Sequence, residues 1–131
     1  MIVDSSAILA ILLVEPDAHT YAVAIAKAYV TRLSAANCIE VAARVEALKN
    51  PIASRELDAF IKKSLITIED VTAEQAQIAR EAYRDFGKGS GHAAKLNFGD
   101  CFSYALAKAY DEPLLFKGND FSKTDIRSAL K

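Results

Sequence analysis

Short apolar, β-branched runs alternate along this chain with longer stretches whose apolar residues recur every three or four positions. Ile2-Val3 is the first such run, and the apolar stretch from Ala7 to Val14 behind it predicts a helix capped by Ser5 or Ser6. Glu15-Pro16-Asp17 breaks that helix, with Pro16 suited to the opening turn of a second one reaching about Ala28. YVTRLS, from Tyr29 to Ser34, is rich in β-formers and predicts a strand. Ser34 then caps a long helix through Lys49, stopped at Asn50-Pro51. Leu57, Phe60, Ile61 and Leu65 lie at helical spacing in SRELDAFIKKSL. ITIEDV, from Ile66 to Val71, predicts another strand, and Thr72 with Gln75 forms a capping box for a helix ending near Phe86 at Gly87. A loop loosened by Gly87, Gly89 and Gly91 leads into the helix of LNFGDCFSYALAKAY. PLLFK, from Pro113 to Lys117, predicts the last strand; Gly118 to Asp120 forms a turn, and a short terminal helix follows.

Strands and helices in alternation predict an α/β fold with a mainly parallel central sheet. At 131 residues, with no internal repeat, the chain suits a single domain spanning residues 1–131. In parallel α/β folds ligands bind beyond the carboxyl ends of the strands. Residues just after each strand therefore matter most. Asp4 follows the first strand and Asp120 the last, Asp100 opens an apolar helix, and Glu40 lies within two turns of the start of the helix after the second strand.

Each acid has a structural explanation of its own. Asp4 and Asp100 are suited to capping, Asp120 to a turn, and Glu40 to an i,i+4 pair with Arg44. What weakens these explanations is that all four converge on one edge of one sheet. Glu40 fits its explanation least, because Ala36 and Ala43 beside it on the helix are too small to cover it. Carboxylates gathered in one pocket repel, and at least one pKa rises unless positive charge enters. Helix N-termini supply part of that charge and a divalent cation the rest. The donors are all hard oxygens, with no converging His or Cys, which suits Mg²⁺ or Mn²⁺ and not zinc.

Composition narrows the partners. The net charge is −1 and 25% of residues are charged, so any nucleic-acid binding must be local. Cys38 and Cys101 have no neighbouring thiol, which fits buried free thiols in a reducing cytoplasm. The opening apolar run lacks a basic start and is too short to span a bilayer, so it is expected in the core.

With those positions named, the chain resembles the PIN-domain ribonucleases, and among them the VapC toxins of bacterial toxin–antitoxin pairs. MIVDSSAILAIL, NCIEVAARVEAL and LNFGDCFSYALAKAYDEPLLFKGNDFSKTDI carry the resemblance, the last block most specifically. It implies a three-layer α/β/α sandwich and RNA cleavage dependent on Mg²⁺ or Mn²⁺. Asp4, Glu40, Asp100 and Asp120 match the family's acidic quartet, with Asp4 and Asp100 as principal metal ligands. Ser5 and Asn119 match accessory polar positions; many relatives carry Thr and an acid there, respectively. The implied chemistry is attack of a metal-activated water on phosphorus with departure of the 3′-oxygen. The resemblance further implies a homodimer and a cognate VapB-type antitoxin.

Lys88, His92, Lys95, Lys117 and Lys123 are candidate RNA contacts, set against plain surface charge. GKGSGHAAK lacks the spacing of a phosphate-binding P-loop. Phe86, Phe98, Phe102, Phe116 and Phe121 are expected in the core instead of stacking on bases. Lys117 at the end of a strand also fits a receiver domain, but that fold and an Asp-x-Asp phosphatase both need a second acid where this chain has Ser5 and Ser6.

Overall fold

The computed structural model describes residues 1–130. Four strands, β1 (Ile2–Val3), β2 (Arg32–Ser34), β3 (Thr67–Glu69) and β4 (Leu114–Leu115), pair in the order β3-β2-β1-β4, every pair parallel. Six helices connect them: α1 (Ser5–Leu12), α2 (Ala18–Lys27), α3 (Ala35–Ala47), α4 (Pro51–Lys63), α5 (Ala73–Phe86) and α6 (Phe98–Tyr110).

Successive side chains of a strand point to opposite faces, and both faces here are apolar. Val3, Leu33 and Leu115 are buried against α1 to α4, while Ile2 and Leu114 are buried against α5 and α6. The result is the three-layer arrangement. Each such fully buried aliphatic side chain contributes roughly 1.5–3 kcal/mol, so these short strands are held mainly by the helices that cover them.

The strands are shorter than the sequence pattern predicts. Tyr29 and Val30 are exposed and precede the paired segment, because β1 offers β2 only a brief partner at Ile2. Helix ends differ as well. Asp4, not Ser5 or Ser6, caps α1 through Ser6 N–H. Asn50, expected only to stop α3, also caps α4, with Pro51 at its first turn. Thr72 Oγ1 accepts from Gln75 N–H at the start of α5, which is one half of the predicted box. Gly87 ends α5 with φ −73°, outside the left-handed region. Glycine is needed there for space, since a Cβ would meet the Tyr83 carbonyl oxygen at 2.2 Å.

The terminal helix is reduced to a single 3₁₀ turn, Phe121–Lys123. The chain beyond it runs beside β4, with Leu114 N–H donating to Arg127 O and Ala129 N–H to Leu114 O, both at 2.9 Å. This tail covers an edge that would otherwise expose unpaired backbone groups. No helix among the described residues is long and apolar enough to cross a membrane.

Candidate active site

Asp4 leaves β1 at its carboxyl end and is buried. Its Oδ2 accepts from Ser6 N–H at 3.1 Å and from Ser6 Oγ–H at 2.6 Å. The Ser6 hydroxyl in turn accepts from Lys117 N–H at 3.0 Å, which ties the exit of β4 to the exit of β1. Asp4 Oδ1 lies 2.5 Å from Ser103 Oγ, one turn into α6.

Asn37, in the first turn of α3, joins the remaining parts. It is fully buried. Its Nδ2 donates to Glu40 Oε1 at 3.2 Å and to Gly99 O at 3.0 Å, while its Oδ1 lies 3.0 Å from Ser103 Oγ. Ser103 has one hydroxyl proton facing two acceptors, so both contacts are satisfied together when Asp4 carries a proton. Burial is the main cause that raises the Asp4 pKa, and the Glu40 charge adds to it.

Glu40 does not pair with Arg44. Ser5 Oγ–H donates to Glu40 Oε1 at 2.5 Å, beside the Asn37 amide. Gly99 of α6 lies against the Glu40 carboxylate, and its missing side chain makes room for it. Asp100 is not the cap of α6 but the third residue inside it. Asn97 Oδ1 accepts from Asp100 N–H at 2.8 Å, and Asp100 Oδ2 accepts from Asn97 N–H at 3.0 Å, a complete capping box. Burial pushes the Asp100 carboxyl up to about 7, with the charges of Asp4, Asp120 and Glu40 acting the same way. Asp100 therefore senses all three other acids of the quartet. Asp120 and Asn119 lie exposed on the turn after β4.

A profile of the PIN domain matches residues 1–127. The chain is 55% identical over 130 residues to ribonuclease VapC28 of Mycobacterium tuberculosis, covering 99% of this chain and 98% of the relative. Ribonuclease VapC42 of the same organism is 47% identical over 129 residues, with 98% of each chain covered. The chain belongs to the PIN-domain family, among its VapC ribonucleases. The crystal structure of Mycobacterium tuberculosis VapC20, a Sarcin-Ricin loop cleaving toxin, shares the fold at a TM-score of 0.76 with 19% identity, over 95% of either chain.

PIN domains are metal-dependent nucleases. The VapC-type acids here fit a hard cation: every donor is a carboxylate, hydroxyl or amide oxygen, and Asp100 is pushed up to about 7 by burial first and by the neighbouring carboxylates second. As they lie, no three acidic, His or Cys side chains among the described residues close on a single point.

The candidate RNA contacts divide. Lys117 Nζ is held between Glu15 Oε1 at 2.8 Å and Asp17 Oδ1 at 3.0 Å, which raises its pKa to about 12. The half-buried His92 meets Phe86 edge to face, and its Nδ1 accepts from Ala94 N–H at 3.0 Å. Lys88, Lys95 and Lys123 are exposed. Sequence reasoning missed Ser6, Asn37, Gly99 and Ser103. The one available signal was helical spacing, since Asn37 and Ser103 each lie one turn from an acid of the quartet, Glu40 and Asp100.

Proposed function

We propose that this VapC-type PIN domain is a metal-dependent endoribonuclease, the toxin of a toxin–antitoxin pair, with Asp4, Glu40, Asp100 and Asp120 as its catalytic acids. One observation carries the reading: Asp100 is pushed up to about 7 by burial and by the charges of the other three. A pocket that penalises its own carboxylates favours a bound cation.

Asp4 and Asp100 would be the principal ligands of Mg²⁺ or Mn²⁺, with Glu40 and Asp120 completing the set. Such an ion, when bound, lowers the pKa of water and stabilises charge on phosphoryl oxygens. The chain's own groups prepare the site for it. Ser103 and Ser6 orient the two oxygens of Asp4. Ser5 and Asn37 hold Glu40 through Oε1, and Gly99 leaves room for its Oε2. The capping box fixes Asp100 at the mouth of α6, where the helix dipole favours negative charge.

Family membership supports an RNA substrate, a cognate VapB-type antitoxin, a homodimer and a place in the cytoplasm, where RNA and antitoxin are found. The test is cleavage of total RNA with Mg²⁺ by the protein and by Asp4→Asn. Cutting should stop with EDTA and in the variant, whose folded circular dichroism spectrum should persist. Undiminished cutting by Asp4→Asn would remove that residue from the catalytic set.

A further inference from the structure

Asp4, Glu40 and Asp100 are each held by hydrogen bonds, but the exposed Asp120 carboxylate has no hydrogen bond or ion pair among the described residues. It still lies within electrostatic reach of Asp100, whose pKa is raised by burial first and then by the charges of Asp4 and Asp120. The backbone of the turn after β4 therefore sets where Asp120 stands, and the turn is only as fixed as its two ends. One end is Phe121, buried and packed on Phe116 with ring centroids 5.2 Å apart.

The other end is Lys117. Its N–H donates to Ser6 Oγ at 3.0 Å, and the Ser6 hydroxyl donates to Asp4. Its Nζ donates to Glu15 Oε1 at 2.8 Å and to Asp17 Oδ1 at 3.0 Å, both in the turn between α1 and α2. Tyr21 Oη–H donates to Asp17 Oδ2 at 3.1 Å, so the second acid is itself held.

We propose that Lys117 is a positioning residue, whose ammonium, clamped on Glu15 and Asp17, fixes the turn that carries Asp120, and that it does not contact RNA. The proposal rests on the metal-dependent nuclease reading for the role of Asp120. One ammonium against two carboxylates leaves the cluster with net negative charge, which repels a phosphate. Each pair is partly exposed and adds little stability by itself. What the clamp supplies is a fixed starting point for the chain three residues before Asp120. Partners that orient a metal ligand typically matter roughly 10–100-fold in affinity or activity.

Lys117→Met keeps the stem of the side chain and the backbone bond to Ser6 while removing the ammonium. In the metal-free protein, amide NMR relaxation should show added motion at Asn119 and Asp120, with Phe121 unchanged. Mg²⁺ affinity by calorimetry should fall roughly 10-fold, and kcat by a similar factor, with KM for RNA and its salt dependence unaltered. Lys117→Arg should restore all three. The acidic partners separate the two roles, because the expected signs are opposite. Glu15→Gln with Asp17→Asn should reproduce the Lys117→Met loss, and adding Lys117→Met to that pair should cost nothing further. A lysine that met RNA would instead bind it better once freed from two acids, lowering KM. Its own removal would raise KM and flatten the salt slope by about 0.7. Either result overturns the proposal. So does a turn equally rigid in Lys117→Met, or added motion with Mg²⁺ affinity and kcat unchanged. The relaxation measurement needs no cleavage. Added motion in a protein that cuts no RNA defeats the ribonuclease reading alone, and a rigid Lys117→Met turn in a protein that cuts defeats the clamp alone.

Discussion

Gly99 and Glu40, on different helices, meet so closely that a Cβ on Gly99 would lie 2.0 Å from Glu40 Oε2. No atom pair tolerates that separation, and the nearest movable group is the carboxylate itself. Gly99→Ala should therefore push Glu40 away from Ser5 and Asn37. An ångström of displacement in a catalytic group costs on the order of 100-fold. We expect RNA cleavage to fall by about that factor with a thermal midpoint close to the original, since alanine is the better helix former. Steady-state cleavage beside a melting curve checks this, and near-normal kcat would show that Glu40 is not needed where it stands.

Gly87 provides the contrasting case. Its φ of −73° suits any residue, but a Cβ would strike the backbone oxygen of Tyr83 at 2.2 Å. Backbone yields less readily than a side chain. Gly87→Ala should cost about 1–3 kcal/mol, as overpacking does, read as a lower urea midpoint at constant slope. Cleavage at low temperature should be preserved, because Gly87 lies outside the acidic pocket.

Asn37 holds three partners drawn from two helices, α3 and α6. Asn37→Ala takes a buried donor from the Gly99 carbonyl and from Glu40, while Ser103 keeps Asp4 as its acceptor. Each such loss costs about 1–3 kcal/mol. The variant should be less stable in urea and should also cut more slowly, as Glu40 loses one of its two donors. Loss of stability with full activity would make Asn37 purely structural.

If Asp100 ligates Mg²⁺ as proposed, proton and cation compete there. In an unfolded chain the carboxyl titrates near 3.8, and in the fold at about 7. Between those values the folded chain binds more protons than the unfolded one, so this group lowers stability as pH rises from roughly 4 to 7. Mg²⁺ binds the ionised form, and below the folded pKa its affinity should gain about tenfold per pH unit. Thermal shifts caused by Mg²⁺ should be larger near pH 7.5 than near pH 5.5. Asp100→Asn should flatten both trends; an unchanged pH slope in that variant would assign the proton elsewhere.

The alternation of apolar runs and helical periodicity was enough to determine a parallel α/β fold, because strands buried on both faces must be apolar and their crossovers must be helices. The positions of Asp4, Glu40, Asp100 and Asp120 relative to those elements were legible for the same reason: parallel strands deliver their exits to one edge. Hydropathy could not say where a strand stops when its partner is two residues long, as with Tyr29 and Val30 beside β1. Nor could it find Ser103 for Asp4 or Gly99 for Glu40, since small residues carry no pattern and their value lies in what the packed helices bring against them. Phe98 makes the point from the other side. Its side chain is of a core type, and only the way α6 settles on α5 leaves it exposed at the edge of the groove between them.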